Sequence, residues 1–142
     1  MSQRQRVGAY ALVREAGRVL LCRMSATTVT PGRWTLPGGG LRHGEHPEDA
    51  VLRELVEETG LRGTVTGLLG VHSNTYRGSN GDSIHGVRLI YDIAEIAGEI
   101  RAEAEDSTDG AAWLTTAELS ALDLSEHARF ALTDLRGLSP RH

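Results

Sequence analysis

The spacing of hydrophobic residues changes several times along the chain, and each change marks an expected element. Residues 7–14 and 18–23 are β-rich runs separated by Glu15-Ala16-Gly17, which predicts a hairpin with a short glycine-containing loop. Residues 24–32 are polar and threonine-rich and end in the turn pair Pro31-Gly32. Trp34 and Leu36 then alternate with Arg33 and Thr35, the period of a short strand, before Pro37-Gly38-Gly39-Gly40 turns the chain. From Pro47 to Thr59 the period becomes helical, with Leu52, Leu55 and Val56 on the expected buried side and Gly60 placed to stop the helix.

Two longer β-branched stretches follow, 63–76 and 84–96, joined by the polar turn 77–82. In the second, Val87, Leu89, Tyr91 and Ile93 alternate with Arg88, Ile90 and Asp92, which predicts one buried face. Residues 99–101 read as a short strand, 103–109 as an acidic loop, and 111–114 as a returning strand that carries Trp113. Thr115 and Glu118 have the spacing of a capping box. Ser125 opens a last helix whose apolar side is Ala128, Leu132 and Leu135. Strands and helices in this order predict an α/β fold, a mixed sheet flanked by helices.

Length narrows the picture: 142 residues suit a single domain spanning 1–142, enough to bury about two-thirds of the unfolded surface. A formal net charge of −4 argues against binding a nucleic-acid polymer, which needs a basic surface. It permits a small anionic substrate only where metal ions mediate the contact. Cys22 is the sole cysteine, so an intramolecular disulfide is excluded, and its place in VLLCR predicts a buried small hydrophobe. No apolar run approaches the ~20 residues of a membrane span, and the polar start MSQRQR lacks a signal-peptide core. The expected address is cytoplasmic, with no membrane partner.

The candidate chemistry sits on the first helix. Glu54, Glu57 and Glu58 lie at i, i+3 and i+4 and share one narrow face. Like charges at this spacing cost roughly 0.2–0.5 kcal/mol per pair. A hard cation, which prefers carboxylate oxygens, reverses that sign.

The surrounding residues make the stripe specific. Gly39, five residues, Glu45, seven residues and then Arg53-Glu54-Leu55-Val56-Glu57-Glu58-Thr59-Gly60-Leu61 form one spaced pattern. It resembles the Nudix box of the Nudix hydrolase family at every defined position from Gly39 to Leu61. The flanking elements also fit, so the resemblance spans nearly the whole chain. It implies the Nudix fold, an α/β/α sandwich with a mixed β-sheet. It also implies magnesium-dependent hydrolysis of the diphosphate linkage in a nucleoside diphosphate joined to another group, with manganese as a possible substitute.

By the same resemblance Glu57 and Glu58 are the main metal ligands, and Glu54 binds metal or takes the proton of the attacking water. A backbone carbonyl at Gly38 joins the metal shell. Arg53 pairs with a box glutamate and fixes its orientation, and Glu45 belongs to that ion network. Glu105 and Asp106, in the acidic loop, are candidates for a further ligand or general base. Family members often carry a glutamate where this chain has Gly110. His72 and His85 are expected to be structural or substrate-adjacent rather than metal ligands, Trp34 is expected in the core, and His43 and His46 carry no assigned role. A homodimer is the family habit.

The competing reading is a non-catalytic Nudix-fold module that binds or senses a nucleotide. Such a module would be expected to have lost box carboxylates, and this chain retains them all. The substrate stays open among nucleoside triphosphates, nucleotide sugars, ADP-ribose and dinucleoside polyphosphates. Tyr76, 15 residues past Leu61, lies near the place of a tyrosine typical of dinucleoside-polyphosphate hydrolases, with an offset that is short by a residue or more.

Overall fold

In the first strand of the computed structural model, β1 (Gln3–Glu15), neighbouring side chains enter two different cores. Ala9, Ala11 and Val13 face one side of the sheet, and Tyr10 and Leu12 face the other. The structure describes residues 2–28, 30–101 and 108–135. The two-residue link Ala16-Gly17, with φ of 53° and 75°, turns β1 into β2 (Arg18–Met24), as the twist of a tight hairpin requires.

The remaining elements are β3 (Trp34–Thr35), β4 (Gly38–Gly40), α1 (Pro47–Thr59), β5 (Arg62–Arg77), β6 (Ser83–Ala97), β7 (Thr108–Thr115), α2 (Thr116–Leu119) and α3 (Glu126–Thr133). The strand order is β3-β2-β1-β6-β5, with β4 on β1 and β7 on β2. β1 runs parallel to β6 and antiparallel to β2 and β4, so the sheet is mixed.

Helices cover both faces. Ala50, Val51, Leu55 and Leu61 close one core over Ala9, Ala11, Tyr91 and Ile93. Leu119, Ala128, Ala131 and Leu132 close the other over Leu12, Leu21, Leu69 and Ile90. This is the expected α/β/α sandwich. No described helix is long and apolar enough to cross a membrane.

The helix signals fall where expected. Gly60, at φ 82°, ends α1 and donates its N–H to the Val56 carbonyl. Thr115 and Glu118 form a capping box on α2, and the Ser125 hydroxyl caps α3. Cys22 is fully buried, and Trp34 is half-buried against the α3-side core.

Four expectations are corrected. Residues 99–101 form no strand: the chain turns at Gly98 (φ 96°), and the Arg101 amide instead donates to the Thr59 carbonyl at the end of α1. Gly38 to Gly40 is not only a turn but a strand on β1, pairing Gly8 with Gly40 and Tyr10 with Gly38. β6 buries both faces, because Arg88 and Ile90 lie under α3 while Tyr91 and Ile93 lie under α1. Val56 is 40% exposed, because α1 rolls so that Glu58 turns toward the sheet beside Leu55.

Candidate active site

The glycine strand lets α1 approach the sheet closely. A Cβ on Gly38 would lie 2.4 Å from both the Ala9 carbonyl oxygen and the Tyr10 ring, so only glycine fits. A Cβ on Gly39 would lie 2.9 Å from the Glu54 carboxylate. In the space this leaves, the Gly38 N–H donates to Glu58 Oε1 at 2.7 Å, and Glu58 is only 8% exposed. A buried carboxylate is tolerated there because it receives a charge-assisted hydrogen bond.

Arg53 organises the other carboxylates. Its Nε and Nη2 donate to Glu45 Oε2 and Oε1, while Nη1 reaches Glu54 Oε1 at 2.7 Å and Glu57 Oε2 at 3.3 Å. Nη2 also donates to the Gly40 carbonyl at 3.3 Å, which ties the helix to β4. Hydrogen bonds from Arg53, and then from the Arg42 amide, hold the Glu45 carboxyl down to about 2. Arg53 in turn is raised above the usual guanidinium range, chiefly by Glu45. The Arg53–Glu45 pair therefore stays ionised at neutral pH.

A cavity of about 630 Å³ opens beside these groups. Glu54, Glu58 and Gly38 to Gly40 line it, together with Arg6, Arg33, Arg77 and Arg88. Glu57 and Arg53 are not part of that lining, and Glu57 is also paired to Arg42 at 3.5 Å. Glu105 and Asp106 lie outside the described residues.

Among the described residues, no three acidic, histidine or cysteine side chains converge into a ready-made metal shell. The donor set nevertheless suits a hard divalent cation: three carboxylates on one helix face, two of them on the cavity wall, and a glycine backbone whose missing side chains keep the approach open.

Several cavity residues carry no sequence signal. Arg6, Tyr10, Asn74, Arg88, Glu126 and His127 come from β1, β5, β6 and the first turn of α3. His127 packs its ring 4.5 Å from that of Tyr10, and its Nε2 lies 2.8 Å from Thr35 Oγ1. Burial, aided by the charge of Arg88, pushes its imidazole down to about 3, so it is neutral.

His72 is buried beside Arg88 and Glu126, His85 is exposed beside Gln5, and Arg88 stacks over the Tyr76 ring at 5.6 Å. His46, assigned no role, caps α1 by accepting the Glu48 N–H at Nδ1. The rows of apolar residues locate strands and helices but not which polar side chains meet across them, and no local pattern could have found this set.

Comparison with known proteins agrees with this arrangement. The NUDIX domain family model matches residues 2–135. A nucleoside triphosphatase, NudI, from Enterobacter sp. (strain 638) is 32% identical over 137 residues, covering 92% of this chain and 96% of the relative. A MutT-like protein from Streptomyces ambofaciens is 37% identical over 132 residues, covering 93% and 77%. Among solved structures, a MutT NUDIX hydrolase from Burkholderia pseudomallei superposes with a TM-score of 0.78 at 31% identity, covering 93% of this chain and 98% of that one.

Proposed function

The chain belongs to the Nudix hydrolase family, and from that premise we propose that it is a magnesium-dependent pyrophosphohydrolase of nucleoside triphosphates. The observation that carries this reading is the cavity wall on which Glu54 and Glu58 share one space with Arg6, Arg33, Arg77 and Arg88. Carboxylates there suit a divalent cation, and guanidinium groups suit phosphate oxygens. The triphosphate class is supported by the name of the NudI relative, which matches this chain over nearly its full length.

Glu54, Glu57, Glu58 and the Gly38 carbonyl are the groups that would hold magnesium, with manganese as a substitute. When bound, the metal neutralises phosphate charge and makes the attacking water more acidic. Hydrolysis forms one P–O bond from water and breaks one bridging P–O bond, releasing two phosphate products. The water's proton passes to a carboxylate, and Glu54 offers Oε2, to which no hydrogen bond runs among the described residues. Glu105 is the alternative base. Arg53, locked by Glu45, keeps Glu54 and Glu57 from swinging independently, so positioning and charge do most of the work. A homodimer in the cytoplasm remains part of the proposal.

The test is hydrolysis of a nucleotide panel with magnesium, the products resolved by chromatography. It includes nucleoside triphosphates, nucleotide sugars, ADP-ribose and dinucleoside polyphosphates. Cleavage of triphosphates by the wild type, lost in Glu57→Gln or Glu58→Gln with folding intact, is the expected result. Equal turnover by these variants at matched magnesium refutes the assignment. Metal-dependent binding without turnover by the wild type favours a nucleotide-sensing module instead.

A further inference from the structure

Beside the carboxylate stripe, the cavity carries a closed ring of four hydrogen-bonding side chains. Arg88 Nη1 donates to Asn74 Oδ1 at 2.8 Å and lies 3.4 Å from His72 Nδ1. Asn74 Nδ2 donates to Glu126 Oε2 at 3.0 Å, and His72 Nε2 lies 3.3 Å from Glu126 Oε1.

The two ends of the ring decide how the middle is oriented. A guanidinium only donates and a carboxylate only accepts. Asn74 must therefore turn its oxygen to Arg88 and its amide nitrogen to Glu126. For the contacts with Arg88 and Glu126 both to be hydrogen bonds, His72 accepts at Nδ1 and donates from Nε2, which fixes its tautomer. Hydrogen bonding runs from Arg88 to Glu126 by both routes; flipping the Asn74 amide would face donor to donor and acceptor to acceptor, and flipping the His72 ring would put C–H groups where its two nitrogens stand.

Arg88, Asn74 and Glu126 all line the cavity. Arg88 is nearly buried at 9% exposure, whereas the Glu126 side chain is 67% exposed. A carboxylate has about four acceptor positions, and the ring occupies one on each oxygen. Glu126 therefore presents fixed acceptors to a ligand. The second N–H of Asn74 Nδ2 and the remaining N–H groups of Arg88 supply donors next to it.

We propose that this ring reads the base of the bound nucleotide, and that it selects bases with a ring N–H beside a carbonyl, namely guanine, uracil and thymine. Glu126 accepts the ring N–H, and Asn74 or Arg88 donates to the neighbouring carbonyl. Adenine and cytosine place a lone pair at the corresponding ring nitrogen, facing the carboxylate. Leaving such a pair of acceptors opposed discriminates far more strongly than a change in apolar contact. The inference rests on the reading of this cavity as the nucleotide site.

The test compares kcat/KM for GTP, UTP and dTTP with that for ATP and CTP, using the full chain with magnesium. The expected wild-type preference is at least about tenfold for the first group. Glu126→Gln replaces one acceptor by a donor, and the preference is expected to fall by at least about tenfold. That ratio does not move when a variant merely loses overall activity.

Equal wild-type rates for the two groups, a reversed preference, or an unchanged ratio in Glu126→Gln overturns the proposal. The wild-type ratio alone decides it should the variant not fold. Calorimetric binding of the same nucleotides to Glu57→Gln protein separates the two readings. The same base order in binding, without any wild-type cleavage, supports the base-reading ring while rejecting the hydrolase. Binding that ignores the base, alongside normal cleavage, rejects the ring while keeping the hydrolase.

Discussion

Arg53 meets Glu45 through two parallel hydrogen bonds, Nε to Oε2 and Nη2 to Oε1, each 2.8 Å long. The fork joins the loop before α1 to the middle of that helix and leaves Nη1 to bridge Glu54 and Glu57. A carboxylate and a guanidinium match in this planar geometry, and a lysine ammonium does not.

Arg53→Lys is therefore expected to keep the fold and lose activity by about 10–100-fold, the range for a group that orients metal ligands. Circular dichroism checks the fold, and a magnesium titration of triphosphate hydrolysis checks the rest. Wild-type turnover across the whole titration would show that the fork does not position the glutamates.

Gly38→Ala is expected to destabilise the protein by roughly 1–3 kcal/mol or more, the usual cost of overpacking. Its Cβ would meet the Ala9 carbonyl oxygen and the Tyr10 ring at 2.4 Å. Gly110→Ala, where a Cβ meets nothing within 4 Å, is expected to stay within about 0.5 kcal/mol of wild type. Urea unfolding of both variants measures the contrast. Similar midpoints would mean that β4 shifts freely to admit a side chain.

His127 couples stability to acid. Its folded pKa, about 3, lies below the ordinary value of 6.5 because the ring is buried. Below pH 6.5 the unfolded chain takes up a proton that the folded chain refuses, so stability falls as the pH drops from 6.5 toward 3. His127→Gln is expected to flatten this part of the stability profile. An imidazole NMR titration placing His127 near 6.5 in the folded protein would sink the prediction.

Cys22 is fully buried, and burial pushes its thiol well above the usual range. Native protein is expected to leave a thiol reagent unreacted at neutral pH, with one equivalent consumed on unfolding. Stoichiometric labelling of the folded protein within minutes would contradict the packing of β2.

The sequence by itself determined what depends on neighbours along the chain. The hairpin at Ala16-Gly17, the Gly60 stop, the Thr115 and Ser125 caps and the spacing of Glu45, Arg53, Glu54, Glu57 and Glu58 were all legible there. Each is closed by bonds within a few residues or by one helix period. Tertiary structure decided the rest. Whether Val56 or Glu58 faces the sheet depends on how α1 rolls against a glycine strand, which no periodicity records. The ring of His72, Asn74, Arg88 and Glu126 unites two paired strands with a helix much farther along the chain. Its members resemble any other polar surface residues until the β5–β6 register and the seat of α3 bring them together. The physical reason is range: local bonds are specified by adjacent residues, whereas a site assembled across layers is specified only by the packing that holds the layers in register.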